Sequence, residues 1–367
     1  MLQTILSNLS SVFVFAIFLS ILIVVHEWGH FITAKKLGVK VERFSLGFGP
    51  KLFSWMHYGT EFLLCLIPLG GYVKMAGDER SECKGKDYEF LSKPPGHRAL
   101  IVLNGPVVNF ILAYVSLFVV FMIGYPDLST KVGKLMDGYP AQQAGLVLGD
   151  QILRINTQSV DSWTDIQNFI AQSQGDKITV TVLREGQKLD KVIVPKVEKL
   201  ENVFGQKKER RIVGIQPTED IITLKYDPMT AFVKATRKLW EITSITYKSL
   251  YFMLTGTISP KESMTGPIGI FFIVKTAAEM GFSHLLYILG VISASLAIFN
   301  LLPVIPLDGG HLFFLGLEKL RGKTISPKVD EWIVKIGVSL IVCLAIFVFY
   351  NDFSRFGWID KVKHLIP

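Results

Sequence analysis

Long apolar stretches dominate the hydropathy pattern of the chain. Four are long enough to cross a membrane, and they run from about Ile5 to Ile32, Ala99 to Gly124, about His284 to Leu302, and Ile333 to Tyr350. A helix rises ~1.5 Å per residue, so ~20 apolar residues cross a ~30 Å hydrocarbon core. Half of the residues are hydrophobic and the mean hydropathy is +0.39. The pattern predicts a polytopic α-helical membrane protein with about four transmembrane helices.

Residues 39–75, which join the first two apolar runs, follow a different pattern. The segments VERFSLGFGPKLF and TEFLLCLIPLGGYVKM are rich in β-forming residues and are largely apolar, and a short polar turn at His57 to Thr60 separates them. This pattern predicts a β-hairpin. Because the hairpin is apolar and adjoins a membrane helix, we expect it to dip toward the bilayer as a re-entrant loop, which requires that its backbone be covered by protein or line a cavity.

The residues after the second apolar run predict a small soluble domain at 127–217, between membrane parts at 1–126 and 218–367. Its short segments KVGKLM, DQILRI, KITVTVL and KVIVP have the character of strands. The segment WTDIQNFIAQS has helical periodicity, with Thr164 as its expected N-cap, and the charged run KKERR predicts a solvated turn.

Two further segments are predicted as helices that do not span. Pro228 to Leu254 has mixed polarity, which favours an amphipathic helix at the membrane interface over a fifth span. Phe271 to Met280 is apolar but short, and we expect it to be re-entrant or interfacial.

Charge determines the expected orientation. The net charge is +8, and basic residues cluster after the first span and between the third and fourth spans. By the positive-inside rule both loops are cytoplasmic, so the soluble domain and both termini lie outside. The first basic residue, Lys35, follows the first apolar run, so we expect a retained helix and not a cleaved signal peptide. No basic stripe interleaved with aromatic residues points to nucleic acid.

The first apolar run contains ionisable residues in the sequence VVHEWGH. His26 and His30 are one helical turn apart, so both imidazoles can reach one metal ion, and Glu27 is turned about 100° away, where it can reach a bound water. This is the H-E-x-x-H pattern of zinc peptidases. The alternative is that these polar groups only join helices together, but ionisable residues inside a membrane usually mark a functional site.

The three cysteines, Cys65, Cys83 and Cys343, have no metal-ligand spacing and are expected to be reduced.

A catalytic zinc site needs a third protein ligand. The segment NLLPVIPLDGGH ends the third span at the same cytoplasmic depth as His26, and two residues in it qualify, Asp308 and His311. Geometry alone leaves both open, and the DGG sequence also suits a simple turn at the end of a helix.

HEWGH together with NLLPVIPLDGG resembles the signature of the site-2 protease family of intramembrane zinc metalloproteases, and the resemblance extends over essentially the whole chain. It implies one zinc ion bound by His26, His30 and Asp308, with Glu27 as the catalytic base. It also implies that Asn300 positions substrate and that Gly47, Phe48 and Gly49 belong to a re-entrant β-loop that binds substrate. Pro306 is shifted by one position from the family pattern, which leaves the backbone path before Asp308 open.

The resemblance also implies the setting. The expected substrates are single-span membrane proteins, such as an anti-sigma factor or remnant signal peptides, and the expected location is the bacterial inner membrane, in contact with lipid. The segment DGYPAQQAGLVLGDQILRIN is similar to bacterial PDZ domains, apart from Thr157 after Asn156, and the chain has room for one such domain. It implies peptide or protein contact, or a filter against large ectodomains. Two rivals, a zinc transporter and an inactive scaffold, are disfavoured by the nearly uncharged second and fourth spans and by the intact Glu27.

Overall fold

The computed structural model describes residues 2–201, 207–322 and 327–355, and it divides the chain into two compact units. The first unit takes in Met1–Val119, Phe232–Leu250 and Ser259–Pro367, and the second takes in Val120–Ala231 and Tyr251–Ile258. The helices are α1 (Leu2–Lys36), α2 (Pro95–Ile123), α3 (Pro140–Gln143), α4 (Trp163–Gln172), α5 (Pro228–Leu254), α6 (Pro260–Ser263), α7 (Pro267–Met280), α8 (Phe282–Asn300), α9 (Asp308–Arg321) and α10 (Pro327–Arg355).

The strands form one long hairpin and a group of short strands in the second unit. They are β1 (Val41–His57), β2 (Thr60–Met75), β3 (Tyr125–Leu128), β4 (Val132–Leu135), β5 (Gln151–Ile155), β6 (Gln158–Ser159), β7 (Ile178–Arg184), β8 (Gln187–Ile193), β9 (Lys196–Glu201), β10 (Lys207–Ile212), β11 (Ile215–Pro217) and β12 (Ile221–Leu224). A four-stranded sheet has the order β6-β5-β7-β8, and the other pairs are β9 with β10, β4 with β11, and β3 with β12.

Four helices in the described residues are long and apolar enough to cross a membrane. They cover Leu9–Lys36, Pro95–Ile123, Phe282–Asn300 and Trp332–Arg355, in agreement with the four apolar runs of the sequence. The mixed-polarity helix α5 is not among them. Helix α7 has only 14 residues and is separated from α8 by Gly281, whose φ of 112° breaks the helix.

Helices α1 and α2 approach each other closely at Gly29. A Cβ on Gly29 would lie 2.3 Å from the carbonyl oxygen of Asn104, so only glycine fits there. The Asn104 amide donates to the Gly29 carbonyl at 3.0 Å and to the Thr33 hydroxyl at 2.7 Å. These polar contacts fix the register of the two helices, as is common between helices in membranes.

The predicted hairpin is present and folds back on itself. The turn lies at Tyr58 and Gly59, which both have positive φ, as the sequence predicts. Phe44 has two partners, Val73 on one side and Phe62 on the other, so the first part of β1 lies between the two halves of β2. The segment 71–75 therefore forms an outer edge of this sheet.

The end of α10 is attached to the start of α7 through Asp352. Its fully buried carboxylate accepts hydrogen bonds from the backbone N–H groups of Gly266, Ile268 and Gly269, each at 3.0 Å. The first N–H groups of a helix have no partner within the helix, and they favour a negative charge. Asp352 thus caps α7 from another helix.

Two predictions for the second unit are wrong. Helix α4 is capped by Ser162, whose hydroxyl accepts from the Asp165 N–H at 3.3 Å, because the helix begins at Trp163 and Thr164 is already inside it. The run KKERR is not a turn but most of strand β10. Its charges are accommodated because Glu209 and Arg210 lie opposite Lys199 and Glu198 on β9.

The second unit has its own apolar core, and its boundaries are wider than 127–217. Buried Trp163, Ile166 and Ile170 of α4 pack with inward-facing residues of β5 and β7, including Ile152 and Val180. Strands β3 and β12 pair with each other, so the unit begins before Asp127 and continues beyond Pro217.

Candidate metal centre

Two histidines of α1 place their side chains together. His26 and His30 are each more than 90% buried, and their Nε2 atoms are 3.2 Å apart. Their rings are nearly perpendicular, at 88°, with centroids 4.8 Å apart. This arrangement follows from the i, i+4 spacing on one helix face. Two imidazole nitrogens that face each other at this distance are well placed to share a cation.

Asp308, the first residue of α9, completes the group. Its Oδ2 lies 3.2 Å from His26 Nε2 and 3.5 Å from His30 Nε2. The glycines that follow explain how the chain brings it there. A Cβ on Gly309 would lie 2.2 Å from the carbonyl oxygen of Leu301, and a Cβ on Gly310 would lie 2.6 Å from the nitrogen of Ile305. The first turn of α9 therefore packs directly on the loop that precedes it.

The backbone path before Asp308, which the shifted proline left open, is a compact turn. Residues 301–307 connect α8 to α9, and the Ile305–Pro306 peptide bond is cis. The N–H of Leu307 donates to the carbonyl of Val304 at 2.9 Å and holds the turn closed. The Asn300-to-Asp308 spacing thus suffices to return the chain to the two histidines.

The three side chains fit a metal ion. Their ligand atoms lie within 4.8 Å of one another, and the shortest separations are 3.2, 3.2 and 3.5 Å. Tetrahedral zinc with N and O ligands at ~2.0–2.1 Å needs ligand atoms about 3.3–3.4 Å apart. Asp308 Oδ2 is also buried without a hydrogen-bond partner, which is costly unless a cation binds it. Burial raises the pKa of Asp308, but the imidazoles of His26 and His30 outweigh this and lower it to about 2, so the carboxylate is ionised.

The backbone of α2 orients one of the histidines. His30 Nδ1 lies 2.9 Å from the carbonyl oxygen of Ile101, which can only accept, so Nδ1 carries the proton. When the ring is neutral, as a metal ligand must be, its lone pair is then on Nε2, on the side of Asp308. This is the usual way in which a metal-binding histidine is held in the correct tautomer.

Glu27 lies beside the group and is held by the hairpin. Its carboxylate accepts a hydrogen bond from the backbone N–H of Val73 on the outer segment of β2. A Cβ on Gly71 would lie only 2.9 Å from Ile23 Cγ2 on α1 and 2.8 Å from the Ser45 carbonyl oxygen, so glycine lets the hairpin pack against α1 beside Glu27. The hairpin thus forms one wall of the site.

Of the other predicted site residues, Asn300 lies beside the three side chains and Phe48 lies farther along the hairpin. Asn300 Nδ2 is 3.5 Å from His26 Nε2, at the edge of the group. Phe48 lies between Gly47 and Gly49, which have φ of 89° and 86°, and its half-exposed ring is stacked on Tyr72. Tyr72 adjoins Gly71, so this part of the hairpin is close to Glu27. His311 is exposed on α9 and is outside the cluster found among the described residues.

Sequence reasoning missed the contribution of α2. Ile101, Gly105 and Asn109 are spaced by four residues, so they share one helix face, and this face lies against the two histidines. A Cβ on Gly105 would lie 2.3 Å from His30 Nε2. The available signal was the sequence NGPVVN inside an apolar run, where a glycine and polar amides are unusual without a packing role.

Two histidines on a helix able to span a bilayer, a carboxylate that joins them in a group that could hold a metal ion, and an adjacent glutamate are typical of a membrane-bound zinc metalloprotease. The chain belongs to peptidase family M50, the site-2 protease family, whose family model matches residues 14–344. The resemblance drawn from the two sequence motifs is therefore confirmed.

Similar proteins cover almost the whole chain. The regulator of sigma-E protease RseP of Escherichia coli is 30% identical over 446 residues, covering 93% of this chain and 98% of that protein. A putative zinc metalloprotease of Campylobacter jejuni is 33% identical over 342 residues, covering 92% of this chain and 91% of that protein. The PDZ domain of the SdrC-like protein of Listeria innocua covers 25% of this chain and 96% of its own, at 22% identity and a TM-score of 0.20, too low to establish a shared fold.

Proposed function

We propose that this protein cleaves peptide bonds inside the transmembrane segments of single-span membrane proteins, using one zinc ion bound by His26, His30 and Asp308. The observation that carries the proposal is the convergence of three ligand atoms, 3.2–3.5 Å apart, of which two belong to a helix long and apolar enough to span. When bound, zinc supplies Lewis acidity that polarises the scissile carbonyl and acidifies water.

Glu27 is the proposed general base. It lies beside the ligand cluster and is oriented by the Val73 N–H. It takes a proton from the water that attacks the scissile carbonyl and then delivers that proton to the leaving nitrogen. An inactive scaffold that only bound metal would not need a general base, so the presence of Glu27 favours an enzyme.

The hairpin is the proposed substrate platform. A transmembrane helix must unwind before its peptide bonds can be hydrolysed, and the unwound strand needs new hydrogen-bond partners. On the outer segment of β2 the N–H groups of Val73 and Met75 both point away from β1, to Glu27 and to Asp78. The N–H of Gly71 shares this alternation, so an extended substrate can pair with this edge at Gly71, next to the base, while Val73 continues to hold Glu27.

Asn300 and Gly47–Phe48–Gly49 are the proposed substrate-binding residues. Asn300 is close enough to His26 to bind a substrate carbonyl at the site, and the half-exposed ring of Phe48 offers an apolar contact. We expect Asn300→Leu and Phe48→Ala to slow cleavage while the zinc content stays that of the wild type. Tyr58→Ala, at the exposed tip of the hairpin, is the control. If all three variants cleave equally, these assignments fail.

The second unit is proposed to be a single PDZ domain that limits access to the site. The DGYPAQQAGLVLGDQILRIN segment and the four-stranded sheet packed with α4 support this assignment. A deletion of residues 130–219, closed by a short glycine-rich linker, retains the β3–β12 pair. It should permit cleavage of substrates that keep large ectodomains, and cleavage that still requires prior trimming contradicts the gating role. A bound peptide end is the alternative role of such a domain.

The proposed location is the bacterial inner membrane, with the metal site near the cytoplasmic side and the second unit and both termini outside. Support comes from the basic residues after the first span and between the last two spans. Single cysteines at Tyr58 and Glu185, in a chain lacking Cys65, Cys83 and Cys343, test it with an impermeant thiol reagent. Labelling at Glu185 alone in intact spheroplasts is expected, and labelling at Tyr58 alone would reverse the orientation.

The proposed natural substrates are an anti-sigma factor, remnant signal peptides, or both; the first is suggested by relatives that are named as regulators of sigma-E. The function is tested by measuring zinc content and cleavage of a single-span substrate in liposomes for the wild type, Glu27→Gln and the exposed Glu279→Gln as control. We expect about one zinc ion in all three and a loss of cleavage only in Glu27→Gln. Full activity of Glu27→Gln, or a wild type without zinc, contradicts the proposal.

A further inference from the structure

One face of α2 supports both histidines, but in different ways. The Ile101 carbonyl accepts from His30 Nδ1, and Gly105 leaves room for both rings. The partner of His26 is Asn109, whose side-chain Nδ2 lies 3.4 Å from His26 Nδ1. Each histidine thus has a group on α2 beside the ring nitrogen that faces away from Asp308.

Asn109 has an unused acceptor in a fully buried place. Its exposed fraction is 0%, and its Oδ1 has no hydrogen-bond partner. A buried polar atom without a partner destabilises the folded protein. The backbone at this position is held within helix α2, and the buried Ser293 hydroxyl of α8 also donates to the Asn109 carbonyl at 2.8 Å. The amide group itself can still turn about its last side-chain bond.

The two orientations of this amide have opposite consequences for His26. When Nδ2 faces His26, the amide donates, so Nδ1 must be the acceptor and the proton of the neutral ring is on Nε2. That proton would point at Asp308 and His30 and would block a metal ion. After a half-turn, Oδ1 accepts from a protonated Nδ1 and the lone pair of Nε2 faces the metal position, while Nδ2 takes the place that Oδ1 had.

We propose that Asn109 is a positioning residue for the metal centre, whose Oδ1 accepts from His26 Nδ1–H and thereby holds the ring in its metal-binding tautomer. The inference rests on the proposed function, because it concerns a ligand of the proposed zinc ion. In this arrangement, the Asn109 side chain accepts from His26 as the backbone carbonyl of Ile101 accepts from His30.

The test compares zinc affinity among Asn109→Leu, Asn109→Asp and the wild type, by chelator competition on the purified full-length protein. Loss of the partner of a metal-binding histidine typically costs 10–100-fold in affinity, so we expect this loss in Asn109→Leu. A carboxylate accepts from Nδ1–H as the amide oxygen does, so Asn109→Asp should keep wild-type affinity. Ser293→Ala, which removes only the bond to the Asn109 backbone, is the control and should bind zinc as the wild type does.

Each alternative gives a different result. An amide that donates to His26 cannot be replaced by an ionised aspartate, so equal losses in Asn109→Asp and Asn109→Leu would overturn the inference. Wild-type affinity in Asn109→Leu would overturn it as well. Melting temperatures of the zinc-free proteins separate a loss of affinity from a loss of folding. These results are distinct from a failure of the proposed function, in which the wild type itself binds no zinc or Glu27→Gln still cleaves.

Discussion

The imidazole of His30 lies directly against the backbone of Gly105, so closely that a Cβ on Gly105 would lie 2.3 Å from Nε2 and 2.4 Å from Cε1. The same Cβ would lie 2.9 Å from Cε1 of His26. Gly105 is therefore the point at which α2 limits where the rings of His26 and His30 can lie.

Gly105→Ala should displace the two rings and lower zinc affinity at least 10-fold, since metal sites tolerate little error in ligand position. Overpacking of a buried site costs about 1–3 kcal/mol of folding free energy. Zinc affinity by chelator competition and thermal unfolding in detergent measure the two effects. Gly96→Ala is a matched control, because Gly96 is on the same helix and a Cβ added there would have no neighbouring atom within 4 Å. Equal zinc affinity in the two variants would contradict the prediction.

The second prediction concerns the capping of α7 by Asp352. Asp352→Ala removes the acceptor of three backbone hydrogen bonds and leaves their donors buried. We expect the free energy of unfolding to fall by about 2–4 kcal/mol, since bonds to a charged group contribute about 1.5–3 kcal/mol and the abandoned donors add a penalty. Unfolding in mixed micelles measures the change. An Asp352→Asn variant retains an acceptor and should lose less than Asp352→Ala, and the reverse order would contradict the capping role.

The third prediction separates the observed cap of α4 from the one expected from sequence. Ser162→Ala should lower the stability of the second unit by about 1 kcal/mol, the usual cost of losing an N-cap. Thr164→Ala removes only a side-chain bond from its hydroxyl to Asp127 and should cost less. Thermal unfolding followed by circular dichroism compares the two variants. A larger loss in Thr164→Ala would contradict the assignment of the cap.

The fourth prediction is a pH dependence that comes from Asp150. Its buried carboxylate accepts two hydrogen bonds from Arg184 at 2.8 Å and one from the Val147 N–H at 2.9 Å. Burial raises the pKa of Asp150, but the bonds from Arg184 and Val147 lower it by more, to below its usual range. A lowered pKa stabilises the folded state above the unfolded pKa of about 4, and this stabilisation is lost as the pH falls through the lower folded value.

Asp150→Asn removes this dependence. At pH 7 the free energy of unfolding of this variant should be about 2 kcal/mol lower than that of the wild type, because hydrogen bonds to a charged group contribute about this much. Between about pH 5 and pH 3 its stability should decline less than that of the wild type. The exposed Asp176 supplies the control variant Asp176→Asn, which should follow the wild-type curve. Parallel curves for wild type and Asp150→Asn would contradict the prediction.

Much of the membrane part can be predicted because its signals are local. Apolar length alone identifies the four candidate spans, and the His26–His30 spacing on one helix requires the two rings to be neighbours. Asp308 is one of two candidates on local grounds, and the family resemblance selects it. The structure brings Asp308 to the histidines and leaves His311 exposed.

The features that the sequence does not predict depend on contacts between segments that are distant in the sequence. Nothing near Asn109 or Gly105 in the chain shows that they face His26 and His30, about 80 residues earlier. The run KKERR is charged, as a turn often is. It forms a strand because Glu209 and Arg210 lie across from residues of opposite charge on β9. The cap expected for α4 is two residues away from the observed one, because serine and threonine are both good caps and periodicity does not define the first turn.

The position of the cut in the substrate distinguishes cleavage inside the membrane from cleavage outside it. The purified protein and a single-span substrate are reconstituted in liposomes, and the product masses are measured by mass spectrometry, with Glu27→Gln as the inactive reference. If Glu27 and the zinc site cleave within the membrane, the product masses will place the scissile bond within the apolar segment of the substrate, and Glu27→Gln will give none of these products. Cuts confined to the flanking soluble residues, or the same products from Glu27→Gln, would contradict this prediction.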